Sequence, residues 1–286
     1  MKSLALALLM TTPPDYDQSI KTFRQERDTS LRKNDGWLSI VGLYWLNEGT
    51  QRLGRAENRE MVLSDPEIPE TLGSFTKTAN TVHFESTKGI DVLQYGKKIS
   101  KATMPVGPDH QLVFGNFSFF IHQSGERYAV RVKNKNSPFL KAFNGLQFFS
   151  VDQHMRVNAT LRRHPKPQPV EMTNVFGDVE QYQSPGILEF NILRKKLSLV
   201  PVLVSGETKK LFIVFRDETS GKETYGAARF LYTDIENDQR VTLDFNKAQN
   251  PPCAFSHFTT CPLPPPGNHL PVAIRAGEKN STLTNQ

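Results

Sequence analysis

The sequence predicts a mainly β fold: antiparallel, multi-stranded, barrel- or sandwich-like sheets, preceded by an N-terminal helix and followed by an irregular, proline-rich C-terminal wrap. The chain has 286 residues, which is enough for one sizeable hydrophobic core. It contains 19 Phe but only 2 Trp, and phenylalanine with β-branched residues favours sheets. Short apolar segments separated by Gly, Pro and Asn predict antiparallel neighbours. Closed or sandwiched sheets suit so many strands because open edges invite aggregation.

The first element is a predicted helix from Pro14 to Lys33. Tyr16 and Ile20 are four residues apart and therefore lie on one helical face. Asp15 is available to cap the start, and Asn34-Asp35-Gly36 is a stop signal.

The apolar run from Trp37 to Leu46 contains both tryptophans, and it fits a buried strand as well as a short helix. Short strands follow, with a hairpin at Gly115-Asn116. The segment Tyr128–Val132 is predicted to pair with the strand before it. Residues Ser137–Val151 are less regular and indicate a loop or a short helix packed on the sheet.

The clearest strand pattern follows a proline-rich joint at His164–Pro169. We interpret this joint as an exposed bend within one sheet system rather than a domain linker, because similar strands lie on both sides. The predicted meander comprises Val170–Phe176, Val179–Ser184, Gly186–Leu193, Lys196–Val204, Lys209–Arg216, Ala227–Thr233 and Arg240–Phe245.

Residues 15–280 are predicted to form a single β-rich domain, and residues 281–286 a disordered tail. Residues 1–14 are interpreted as a weak signal peptide or a disordered start, since the apolar run after Lys2 is short and no small-x-small cleavage site follows it. This pattern slightly favours a periplasmic or secreted location over a cytoplasmic one. No later segment is apolar over the length needed to span a membrane.

The formal net charge is +6, which suits an anionic small molecule, a nucleic acid or an acidic surface. The basic residues are scattered without a basic helix or an RNA-binding motif, so we predict surface charge and no nucleic-acid partner. The sequence contains no Walker loop, dinucleotide fingerprint or zincin motif. It therefore assigns no cofactor, metal or oligomeric state.

Polar residues are unusually dense from Asp217 to Glu278. Asp217 precedes a Thr-Ser-Gly turn, where its carboxylate is expected to accept bonds from the amides of the turn or to act as a general base or metal ligand. Tyr225 and Arg229 share one face of a strand. There Arg229 would bind a carboxylate or phosphate, or pair internally with Asp217 or Asp244.

Asp244 and Asn246, two residues apart, also share a face. Asn250 precedes Pro251 and is therefore extended, suited to bracing a loop or to orienting a substrate. One hypothesis is a small-molecule pocket, for an anionic ligand, in a binding protein or an enzyme. Its members are Asp217, Tyr225, Arg229, Asp244, Asn246 and Asn250. The alternative is that these residues brace the fold.

Cys253 lies after two prolines, with His257 four residues on and Cys261 eight on. Four roles are open for it: a disulfide with Cys261, a buried thiol, a metal ligand, or a nucleophile activated by a histidine in a hydrolase-like enzyme. Two thiols alone do not complete a zinc site.

The same C-terminal stretch resembles a bacterial family known only as a domain of unknown function, number 1684 in its series. The matching motifs are Phe-x-Asp-x-Thr-Ser-Gly-x-x-Thr-Tyr from Phe215, Arg229-Phe230-Leu231, Leu243-Asp244-Phe245-Asn246, Asn250-Pro251-Pro252-Cys253-Ala254-Phe255 and Cys261-Pro262-Leu263-Pro264-Pro265. The apolar run at Trp37 fits the family's N-terminal signature, so the resemblance covers residues 15–280. It implies no activity.

Overall fold

The structure is a computed structural model that describes residues 15–237 and 239–280, so the predicted leader and tail lie outside the described residues. Two α-helices are present in these ranges, α1 (Tyr16–Leu31) and α2 (Pro138–Ala142). The first eleven strands are β1 (Ile40–Trp45), β2 (Gly49–Gly54), β3 (Met61–Val62), β4 (Gly73–Thr78), β5 (Thr81–Ser86), β6 (Val92–Gln94), β7 (Lys97–Ile99), β8 (Lys101–Thr103), β9 (Leu112–Phe114), β10 (Phe117–Ser124) and β11 (Arg127–Asn134). The next seven are β12 (Arg156–Thr173), β13 (Val179–Ile192), β14 (Lys195–Leu199), β15 (Val202–Leu203), β16 (Lys210–Phe215), β17 (Arg229–Asp234) and β18 (Arg240–Asp244).

The N-terminal helix is confirmed, and its buried face includes Ile20 and Leu31. Asp15 occupies the N-cap position, but its side chain makes no capping hydrogen bond. The Trp37 run contains both predicted structures, a single 3₁₀ turn at Trp37–Ser39 and then strand β1.

The first eleven strands form two sheets around one hydrophobic core. The order in the six-stranded sheet is β1-β11-β10-β9-β6-β7, and in the five-stranded sheet it is β3-β2-β4-β5-β8. Phe75, Phe84, Phe117 and Phe119 lie fully or almost fully buried in this core. The predicted hairpins β9–β10 and β10–β11 are both present.

The last seven strands form a four-stranded sheet, β14-β13-β12-β18, and a three-stranded sheet, β15-β16-β17. Their core contains Phe190, Phe215 and Phe245, together with apolar residues of the C-terminal wrap. The mainly β, antiparallel fold class is thus confirmed. The barrel alternative is not supported, because no sheet of the described residues closes on itself.

One local prediction for this half also needs correction, whereas the proline-rich joint does lie within one sheet, as predicted. The proline-rich joint lies inside the continuous strand β12, where a break in register between Arg163 and Gln168 accommodates it. The two predicted strands around Pro185 form the single strand β13. Gly186 permits this because a Cβ there would lie 2.2 Å from the carbonyl oxygen of Arg162.

The predicted antiparallel meander does not include its last strand, β18. Strand β18 pairs with β12 instead of continuing beside β17. No helix in the described residues is both long enough and apolar enough to cross a membrane.

Candidate functional site

The candidate site is built on the face of β10 and β11 that points away from the N-terminal core. Side chains alternate between the two faces of a strand. Phe119, Ile121 and Val130 pack into the core. Their neighbours His122 and Arg131 therefore point the other way, where they line a cavity of about 370 Å³ that we call the Arg131 cleft.

Arg131 is the unusual residue of this cleft. It is only 5% exposed, and it has no ion pair with any carboxylate of the described residues. Its Nη2 donates to the hydroxyl of Thr260 at 3.3 Å, while its Nε is buried without a partner. Burial lowers the pKa of Arg131 to about 10, so the guanidinium stays charged at neutral pH. The negative charge of Glu180 partly opposes this shift, although the two residues form no contact ion pair. A buried cation without a contact partner is costly to the fold.

His122 shares the hydroxyl of Thr260 with Arg131, at 2.8 Å from Nε2. Both bonds are satisfied when this hydroxyl accepts from Arg131 and donates to His122. Burial, and secondly the charge of Arg131, lower the pKa of His122 to about 3. The imidazole is therefore neutral near pH 7, and it adds no second positive charge.

The opposite wall of the Arg131 cleft comes from the C-terminal sheets. Glu180 and Tyr182 project from β13, and the Tyr182 hydroxyl donates to Oε2 of Glu180 at 2.7 Å. Phe212, Phe230 and Tyr232 form an aromatic wall: the Phe212 ring stacks on Tyr232 at 4.9 Å and meets Phe230 edge-on at 4.8 Å.

A second cavity, of about 490 Å³, shares Trp37, His122, Gln123 and Arg131 with the cleft. Its other wall includes Phe120 and the exposed Val106. Arg131 thus borders two cavities.

All of the predicted pocket residues except Asn250 lie outside the Arg131 cleft. Asp217 and Arg229 do come together, as a fully buried ion pair of 2.8 Å. Asp217 also accepts from the amide of Thr219 at 2.8 Å, as an Asx turn requires. Arg229 donates in addition to the carbonyl oxygens of Ile274 and Ala276. Burial lowers the pKa of Arg229, and Asp217 opposes this shift. The pair ties β17 to the C-terminal wrap.

Asp244 and Asn246 belong to a separate cluster under helix α1. The Tyr16 hydroxyl donates to Oδ1 of Asp244 at 2.9 Å and accepts from Nδ2 of Asn246 at 2.9 Å. The same amide nitrogen donates to the carbonyl oxygen of Asp152 at 2.7 Å. None of these four residues lines the Arg131 cleft.

Asn250 is the one predicted pocket residue that lines the Arg131 cleft. Its amide N–H donates to Oε2 of the fully buried Glu278 at 2.7 Å, and Glu278 also accepts from Arg27 at 2.9 Å. Burial raises the pKa of Glu278, while Arg27 and the Asn250 amide oppose that shift. The chain at position 277 passes close to the Ala248 carbonyl oxygen. Only glycine fits there, since its φ is +78° and a Cβ would lie 2.3 Å from that oxygen.

Cys253 and Cys261 form a disulfide. In this state Cys253 has no thiolate, so it is not a nucleophile. The Tyr225 hydroxyl donates to the carbonyl oxygen of Cys253 at 3.3 Å and lies outside the Arg131 cleft. Cys261 lines the cleft, next to Thr260 in the chain.

Arg131 and His122 are not among the site residues predicted from the sequence. Their neighbours in the sequence could have identified them. Arg131 lies within the apolar segment Ala129–Val132, and His122 follows Phe119–Ile121. A charged residue between buried neighbours in a strand indicates either an internal ion pair or a ligand site. Only the folded chain shows which carboxylates are close to it.

The comparisons with known proteins locate the chain in a family. Residues 141–279 match the model of the family described as "Protein of unknown function (DUF1684)". No curated protein matches. An uncharacterised protein of Haloarcula marismortui, solved by NMR, is similar at 34% identity over 49% of this chain and 78% of its own, with a TM-score of 0.40.

Two further solved structures show a weaker likeness to the chain. The FHA domain of FhaA, in complex with an intracellular domain, has 11% identity over 32% of this chain and 97% of its own, with a TM-score of 0.24. EmbR of Mycobacterium tuberculosis, in complex with a low-affinity phosphopeptide, has 15% identity over 43% of this chain and 32% of its own, also at 0.24. The predicted family is confirmed by the family model: the chain belongs to the DUF1684 family of proteins of unknown function.

Proposed function

We propose that this domain binds a small organic anion in the Arg131 cleft. The observation that carries the proposal is the buried guanidinium of Arg131, which borders two cavities and has no carboxylate partner among the described residues. Buried charges in proteins are normally paired. An anionic ligand would supply the missing partner.

The size and lining of the cleft support this function. About 370 Å³ lies within the range of small-molecule sites, which combine apolar and aromatic walls with a few polar groups. The Thr260 hydroxyl, which is itself bonded to His122, holds the guanidinium from one side, so its direction is set before a ligand arrives.

The residues predicted from the C-terminal motifs have a different role in this proposal. Asp217, Arg229, Asp244 and Asn246 brace the wrap and helix α1 against the last strands, through the bonds described above. Asn250 connects the C-terminal wrap to the cleft, because its backbone amide donates to Glu278 while the residue lines the cleft.

Calorimetric titration with acetate, tert-butylacetate and inorganic phosphate tests the proposal. We expect at least one of these anions to bind, and Arg131→Gln to weaken that binding about ten- to hundred-fold, since a hydrogen bond to a charged group contributes about 1.5–3 kcal/mol.

Arg127→Gln is the matched control. Arg127 lies on the same strand, but it pairs with Asp178 outside the cleft, so its loss should leave the affinity unchanged. Wild-type affinity in Arg131→Gln would overturn the proposal. So would the absence of binding of all three anions and of glycine betaine, a carboxylate that also carries a cationic group.

A further inference from the structure

We infer that the ligand of the Arg131 cleft is a zwitterion, whose cationic group lies against Glu180 and the aromatic wall while its anionic group lies against Arg131. This inference rests on the proposed function and adds the class of ligand. It is drawn from a second unpaired charge in the same cleft.

Glu180 is that second charge. It is partly buried, and no Lys or Arg of the described residues forms an ion pair with it. Its one hydrogen bond comes from the neutral Tyr182 hydroxyl, at 2.7 Å on Oε2. Burial and the contact with Glu180 raise the pKa of Tyr182, which therefore remains a donor and never competes as an anion.

Arg131 and Glu180 line the same cavity, and the charge of Glu180 acts on Arg131, but the two side chains form no contact ion pair. A ligand with only an anionic group would compensate Arg131 but bring its own charge close to the carboxylate of Glu180. A ligand with both charges compensates both residues, and it does so without adding net charge to a partly buried site.

The rings beside Glu180 suit a cation. Tyr182, Phe212, Phe230 and Tyr232 all line the cleft, and no protein cation of the described residues stacks on any of the four. Aromatic faces next to a carboxylate attract ammonium groups, and quaternary ammonium compounds are bound in this way elsewhere. We therefore expect an ammonium carboxylate.

Two probes of the same shape separate the charge of the ligand from its size. Glycine betaine carries a trimethylammonium group and a carboxylate, and tert-butylacetate replaces the nitrogen by carbon and lacks the positive charge. We expect the wild-type protein to bind glycine betaine at least ten-fold more tightly than tert-butylacetate in calorimetry. Glu180→Gln should bring the two affinities together, because the amide keeps an acceptor for Tyr182 but loses the charge.

Glu171→Gln is the control for Glu180. Glu171 is exposed on the neighbouring strand β12, where it accepts from Gln181 outside the cleft. This variant should keep the preference for glycine betaine.

The two proposals fail in different ways. If tert-butylacetate binds through Arg131 as tightly as glycine betaine, the zwitterion inference is wrong and the anion site stands. If glycine betaine keeps its advantage in Glu180→Gln, Glu180 does not hold the cation and the inference is also wrong. If neither probe binds and acetate and phosphate do not bind either, both proposals are overturned.

Discussion

Arg131 and Arg229 are both buried arginines, and they differ in their partners. Arg229 has the Asp217 carboxylate and two backbone carbonyls, which together offset the loss of hydration. Arg131 has the hydroxyl of Thr260. The first arrangement stabilises the fold, while the second leaves a charge available at a cavity.

Substitution by methionine should therefore have opposite effects at the two positions. Arg229→Met leaves the carboxylate of Asp217 buried and unpaired, and we expect it to lower the free energy of unfolding by about 3–5 kcal/mol. Arg131→Met removes an uncompensated charge and should leave the stability of the ligand-free protein unchanged or higher. Urea unfolding of both variants provides the measurement. A large loss in Arg131→Met would assign that residue a structural role.

His122 should make the stability depend on pH. Its pKa is about 3 in the folded protein, against an ordinary value of 6.5. The unfolded chain therefore binds this proton more tightly than the folded protein does. The contribution of His122 to the free energy of unfolding is complete above pH 6.5 and decreases as the pH drops toward 3. The loss is at most about 1.4 kcal/mol per pH unit.

We expect His122→Gln to reduce this pH dependence, because glutamine keeps a hydrogen-bonding group near Thr260 and does not titrate. Urea unfolding of wild type and variant at pH 7 and pH 5 measures the difference. Parallel curves for the two proteins would show that His122 is protonated normally in the folded state.

Among the elements, the loop from Cys253 to Cys261 connects Asn250 and the C-terminal wrap to the Arg131 cleft. The disulfide closes this loop, and Thr260, just before Cys261, contacts both Arg131 and His122. The position of the Thr260 hydroxyl thus depends on how firmly the loop is held.

The Cys253→Ser, Cys261→Ser double variant should lower the free energy of unfolding by about 2–3 kcal/mol through the entropy of the unfolded chain. It should also weaken binding of tert-butylacetate, since Thr260 is less well held. Thermal unfolding and calorimetry measure the two effects.

Native protein without reductant should resist iodoacetamide. Alkylation of Cys253 under those conditions would show a free thiol and reopen its role as a nucleophile.

In the whole molecule, the Arg131 cleft lies between the strands of the two hydrophobic cores. The six-stranded sheet supplies His122 and Arg131, and the C-terminal sheets supply Glu180 and the aromatic wall. The family model matches residues 141–279 and so covers one wall of the cleft. The proposed site needs both halves of the chain, and a ligand there would stabilise them together.

The sequence by itself determined the elements that depend on local pattern. Helix α1, the hairpins of β9 to β11 and the mainly antiparallel strands follow from apolar periodicity and from turns at Gly and Asn, which act over a few residues. The C-terminal motifs identified the family, and Asp217 has the predicted Asx turn with Arg229 as its predicted partner.

Only the tertiary structure decided which charges remain without partners. Arg131 and Glu180 are 49 positions apart in the chain, and nothing local to either one reveals whether a carboxylate or a cation faces it. The sheets also stay open, because β18 returns to β12 and not to an edge that would close a barrel. Pairing across such sequence separations is set by the packing of whole sheets, and that packing brings the unpaired cation and the unpaired anion into one cleft.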